Sequence, residues 1–140
     1  MGLTITLTLG ALIAAIAALH FSWALGAHWP APKGQPLAIY VTPGTRWPGR
    51  AITLAVALAI GAAAGVVLAS RAKVPAPWDM LAAGAYFVVT LVFLGRGLAG
   101  YFPALWRRAE GLPFHRLNRA FYSPLCLAIG AGLAINVLIT

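Results

Sequence analysis

Apolar residues fill four long runs, about 3–25, 51–70, 80–101 and 121–140, and polar residues gather in the stretches between them. A helix rises about 1.5 Å per residue and the hydrocarbon core of a bilayer is about 30 Å thick, so about 20 apolar residues cross it. Each run is long enough. The pattern predicts an all-α fold, a transmembrane four-helix up-down bundle, built as a single domain over residues 1–140. The first run exceeds the ~7–15 apolar residues of a cleavable signal segment and has no Lys or Arg ahead of it, so it is expected to persist as a helix.

The connecting stretches carry their own patterns. Loop one, residues 26–50, holds five prolines: Pro30, Pro32, Pro36, Pro43 and Pro48. That density forbids a long helix. The run 37–42 followed by Pro43 and Gly44 predicts a small hairpin or extended flap, with those two residues at the centre of a type II turn. Trp29, Tyr40 and Trp47 suit a membrane interface, so the flap is expected to lie back over the bundle mouth. In loop three, Pro103 opens and Gly111 closes a short amphipathic helix in the interface plane, ahead of the fourth span. Its Phe102, Leu105 and Trp106 are expected to face lipid, with Arg107, Arg108 and Glu110 toward water. A further turn sets Phe114, Leu117 and Phe121 against Arg116 and Arg119. Ser123 then reads as a cap and Pro124 as the first residue of the fourth span.

Composition sharpens this picture. The chain is 61% hydrophobic and 9% charged, with a mean hydropathy of +0.88. Ten Lys and Arg oppose two acids, Asp79 and Glu110, for a formal charge of +8. Between apolar spans such charges meet anionic lipid and set orientation, so the expected partners are membrane lipids and not nucleic acid. Loops 26–50 and 102–120 share seven basic residues, against Arg71 and Lys73 in the second loop. The positive-inside rule places both basic loops in the cytoplasm and both termini outside. The lone Cys126 cannot form an internal disulfide.

Ionisable residues within a span cost roughly 2.5–3.5 kcal/mol at mid-helix on insertion scales. Two stand there, His20 and Arg96, each about a turn and a half from the end of its span on the same side. Trp23, Tyr101 and Tyr122 lie at a comparable depth. These five predict a ligand-binding pocket at the cytoplasmic mouth, offering positive charge and hydrogen-bond donors to an anionic or carbonyl-bearing group. The blander alternative is that Arg96 snorkels to the phosphates and His20 bonds a neighbouring helix. No carboxylate stands inside a span, and no metal-ligand spacing, second intramembrane His for a haem, or glycine-rich phosphate loop is present, so no metal or cofactor is expected. Gly61 and Gly65 form a G-x-x-x-G pair, suited either to a seam between two copies in a homo-oligomer or to packing within the bundle.

The run from Phe114 to Leu127, with Tyr122-Ser123-Pro124-Leu125-Cys126 as its most specific part, resembles the end of a family of small bacterial four-helix membrane proteins, domain of unknown function 3995. His20-Phe21-Ser22-Trp23-Ala24-Leu25-Gly26 is similar to that family's first-helix motif, and Arg96 falls at its third-helix arginine. The resemblance implies the fold and the membrane location and brings no assigned activity. It also implies an acid shortly before the tyrosine, where this chain has Asn118. The leading expectation is a non-catalytic accessory or binding protein holding an anionic lipid or small amphiphile. The alternatives are a small membrane enzyme for a lipid-like or quinone-like substrate, with His20 as acid/base and Arg96 as its anion partner, and an oligomeric transporter.

Overall fold

A computed structural model describes residues 2–73 and 75–139, and these are helical or irregular, with no strand. The elements are α1 (Gly2–Ala24), α2 (Ala38–Val41), α3 (Arg50–Ala69), α4 (Trp78–Ala99), a 3₁₀ segment (Pro103–Ala109), α5 (Pro113–Leu117), a π segment (Asn118–Tyr122) and α6 (Ser123–Leu138). Among the described residues four helices are long and apolar enough to cross a membrane: α1, α3, α4 and the continuous helix Pro113–Leu138. Helices α1 and α3 pack as one antiparallel pair and α4 and α6 as another; α1 against α6 and α3 against α4 join the pairs. Leu9, Ile13, Ala64, Val67, Tyr86, Ile129 and Leu133 fill the space between them.

Local chemistry sets the helix ends. Helix α1 stops where Gly26 takes φ +101°. The amide of Ala27 then bonds the Ser22 carbonyl at 2.9 Å and that of Gly26 the Trp23 carbonyl at 3.1 Å. This paired reversal satisfies carbonyls left over at a helix end, and a glycine adopts it without steric cost. Arg50 Nε adds a bond to the Ala24 carbonyl at 2.9 Å, a cation at the negative end of the helix.

The fourth long helix begins at Pro113 and runs through Ser123 and Pro124 without a break. Thr140, the last residue of the expected span, lies outside the described residues. Ser-Pro looks like a helix start because proline lacks the amide that a first turn leaves unused. Inside a helix its ring crowds the carbonyl four residues back. Here the preceding turn is widened: the Ser123 amide bonds the Asn118 carbonyl, five residues back. The extra residue in that turn rotates the later part of the helix about its axis. Phe114 is buried at 2% exposure while Phe121 is 64% exposed, so the expected Phe114–Leu117–Phe121 stripe does not stay on one face.

Loop one also departs from expectation. Residues 38–41 form a single helical turn and not a hairpin, and Gly44 lies outside the left-handed region that a type II turn requires. A lone extended segment leaves its backbone groups unpaired, whereas one turn pairs them internally and sets Leu37 and Ala38 inward. Both are buried, and α2 packs on α5. Thr42 Oγ1 closes the turn on the Ala38 carbonyl at 2.8 Å.

The closest helix approaches are not at the G-x-x-x-G pair. A Cβ built on Gly97 would stand 2.9 Å from the Leu127 amide nitrogen, and one on Gly130 would stand 2.9 Å from that of Leu94. Helices α4 and α6 therefore meet backbone to backbone through two reciprocal glycines. At Gly61 the nearest neighbour is Ala17 at 3.9 Å, and the Gly65 side opens on free space.

Candidate functional site

Arg96 stands in the last turn of α4, beside Gly97 and Gly100, whose missing side chains admit the facing helix. A Cβ on Gly100 would overlap the Ser123 hydroxyl. Into this gap the π segment turns Asn118, which is 1% exposed. Arg96 Nη2 donates to Asn118 Oδ1 at 2.7 Å, a short bond as expected for a charged donor. Ser123 Oγ donates to the same oxygen at 3.4 Å, and Asn118 Nδ2 donates to the Gly100 carbonyl at 3.5 Å.

The 3₁₀ segment closes the other side. Trp106 was expected to face lipid; instead its indole lies over Arg96, with Cζ 5.1 Å from the ring centroid. Its Nε1 donates to the Ala99 carbonyl at 2.6 Å, capping α4. The turn is tighter than an α-helix, and Trp106 itself leaves helical geometry (φ −117°, ψ 15°), which swings the ring inward. Phe114 follows at 5.5 Å from Trp106 and Tyr122 at 6.1 Å from Phe114. Tyr122 then donates to the Tyr40 carbonyl at 3.0 Å, fastening loop one to this end. Arg96 Nη1 is buried and has no hydrogen-bond partner.

Of the five residues the sequence nominated, Arg96 and Tyr122 join this cluster through Asn118, Trp106 and Phe114. Tyr101 sits exposed at its rim, with its hydroxyl 3.4 Å from the Arg119 carbonyl that accepts it. His20 and Trp23 make their contacts elsewhere. His20 Nδ1 lies 2.9 Å from the Ile16 carbonyl, and its ring stacks obliquely on Trp23 at 4.7 Å. Trp23 Nε1 donates to the Trp29 carbonyl at 2.6 Å, holding the start of loop one. Asn118, Trp106, Ser123 and Gly100 were not nominated. Asn118 had one signal, as the amide standing where the resemblance implies an acid, and that departure falls on the residue bonded to Arg96.

A second polar network occupies the opposite end. Arg71 Nε donates to Thr6 Oγ1 at 3.0 Å and its Nη2 to Asn136 Oδ1 at 2.9 Å. Asn136 Nδ2 reaches Thr6 Oγ1 at 3.0 Å and the Tyr86 hydroxyl at 3.2 Å, and that hydroxyl donates to the Leu133 carbonyl. Thr6 closes the set by donating to its own helix at Gly2. These bonds tie α1, α4 and α6 together and fasten to them the turn that follows α3. Asn136→Leu should cost roughly 2 kcal/mol, because such bonds between membrane helices average about 0.6 kcal/mol each and Arg71 loses an acceptor. Unfolding by a denaturing detergent, followed by helical circular dichroism, measures it.

Chemically the Arg96 end offers positive charge and aromatic walls. Among the described residues no three His, Cys, Asp or Glu side chains come together to hold a metal ion. The chain finds no match among curated proteins and none among solved structures. A family model described as protein of unknown function (DUF3995) matches residues 13–133, a stretch that contains Arg96, Asn118 and Trp106, and this membrane protein with its four apolar helices belongs to that family.

Proposed function

We propose that the protein is a non-catalytic accessory or binding protein of the bacterial cytoplasmic membrane, holding an anionic lipid or small amphiphile at the end where loops one and three meet. In this reading that end faces the cytoplasm. The observation that carries it is the state of Arg96: its partners are a neutral amide and an indole ring, so the cation keeps its full charge. Eight of the ten basic residues stand at this end (Lys33, Arg46, Arg50, Arg96, Arg107, Arg108, Arg116 and Arg119), against Glu110 alone. A field of that sign draws acidic headgroups to the bundle end, within reach of about a Debye length. Tyr122 and Trp106 then supply the amphipathic surface on which a headgroup and the top of a chain rest.

Native mass spectrometry of the protein extracted in mild detergent tests this directly. The parent is expected to carry a discrete adduct with the mass of an acidic lipid or amphiphile, depleted several-fold in Arg96→Gln, while helical circular dichroism stays unchanged. Equal adducts in parent and variant would count against the reading.

A further inference from the structure

Loop one and the 3₁₀ segment face each other across an open cleft of about 680 Å³. One wall is Thr42, Pro43, Gly44, Arg46 and Pro48, and the other is Ala104, Leu105, Arg107 and Arg108. Three arginines therefore line one cleft whose lining contains no acid. Two unit charges 4 Å apart repel by about 1 kcal/mol even in bulk water, and by more near a protein surface. Backbone walls that bring three arginines to one space, with no acid among them, concentrate positive charge there and favour an anion. The walls are fixed from behind by other bonds. Thr42 ties the loop back at Ala38 and Gly44, the Tyr122 hydroxyl anchors Tyr40, and the Trp106 indole pins the 3₁₀ segment to the end of α4.

We infer that this cleft binds a phosphate group, clamped between Arg46 of loop one and Arg107 and Arg108 of the 3₁₀ segment. Planar guanidinium forks match phosphate oxygens two at a time, and three of them suit a doubly charged phosphomonoester better than a singly charged diester. Ala104 and Leu105 give the same cleft an apolar edge. Leu105 is 63% exposed, as a side chain at the membrane surface would be. The inference rests on the proposed function for the side of the membrane and adds the headgroup class and the residues that read it. Arg96 is not part of this lining, so the two ideas separate by mutation.

The test uses the full chain in nanodiscs of phosphatidylcholine with a minor fraction of phosphatidic acid, a phosphomonoester, or of phosphatidylglycerol, a diester. Lipids retained after release are counted by native mass spectrometry. The parent is expected to retain phosphatidic acid over phosphatidylglycerol, and Arg46→Gln or Arg107→Gln to lose about tenfold in that preference, the ratio for one charged hydrogen bond. Arg119→Gln removes an equal charge from the same end but outside the cleft, and is expected to change it less than twofold. Glycerol 3-phosphate at millimolar concentration separates the sources: displacement of the lipid means the cleft takes soluble phosphate as well, and no displacement means it takes the headgroup in the membrane. Either result supports a phosphate clamp. No preference in the parent, or equal losses in Arg107→Gln and Arg119→Gln, would overturn it. If an acidic lipid is lost in Arg96→Gln but kept in both cleft variants, the proposed function stands and this clamp falls.

Discussion

Asn118→Ala is expected to destabilise the folded bundle by about 3 kcal/mol. Asn118 Oδ1 is the acceptor for Arg96, and its loss leaves the guanidinium without that bond while Nη1 is already unpartnered. A hydrogen bond to a charged group contributes about 1.5–3 kcal/mol, and leaving a half-buried charge without its acceptor adds to that. The indole of Trp106 offsets part of this, since a cation over an aromatic face gains about 0.5–2 kcal/mol. Asn118→Asp separates the bond from the packing. It keeps the bonded oxygen and sets a negative charge against the Arg96 cation, while the long donor contact to the Gly100 carbonyl becomes two facing acceptor oxygens, a smaller loss, so it should fall less than the alanine variant. Equal losses in the two would locate the cost in the shape of the π turn and not in the bond to Arg96. Denaturing-detergent titration of both, beside the parent, decides it.

The four spans were legible because run length alone measures against a bilayer, and no other constraint is needed for that step. What the sequence hid were features with no local signature. The Ser123-Pro124 pair carries the chemistry of a helix start, and only the helix arriving from Pro113 turns it into an interior proline relieved by a wide turn. That wide turn shifts every later residue around the axis, which is why a stripe drawn at ideal helical spacing put Phe121 on the wrong face. Trp106 misled for a similar reason, since a 3₁₀ turn points a ring differently from an α turn. The second network could not have been drawn from spacing at all. Its partners Thr6 and Asn136 lie 130 residues apart, and Thr6 and Arg71 lie 65 apart. Arg96 was visible because a cation in a span is conspicuous; its neutral partner was visible only through a resemblance.

Gly130→Ala and Gly97→Ala are each expected to cost about 2–3 kcal/mol, at the upper end of what forcing an extra methyl into a packed interior does. At both positions the new Cβ would meet the backbone of the facing helix as well as a leucine side chain, so a rotamer change cannot relieve it and the helices must move apart. Separation would be felt at the Arg96 end, because α4 carries Arg96 and the helix it leaves carries Asn118. The two substitutions press on the same crossing, so the double variant should cost less than the sum of the singles. Gly65→Ala supplies the contrast. Its side faces open space, and alanine is the better helix former by about 0.5–1 kcal/mol, so a single copy should be unharmed or slightly stabilised. Unfolding midpoints in detergent, measured together with mass in nanodiscs, read all four variants. A loss at Gly65 matching that at Gly130, accompanied by a fall in mass, would mean that the face around Gly61 and Gly65 is covered by a second copy and that close glycine packing in this protein works between chains as well as within one.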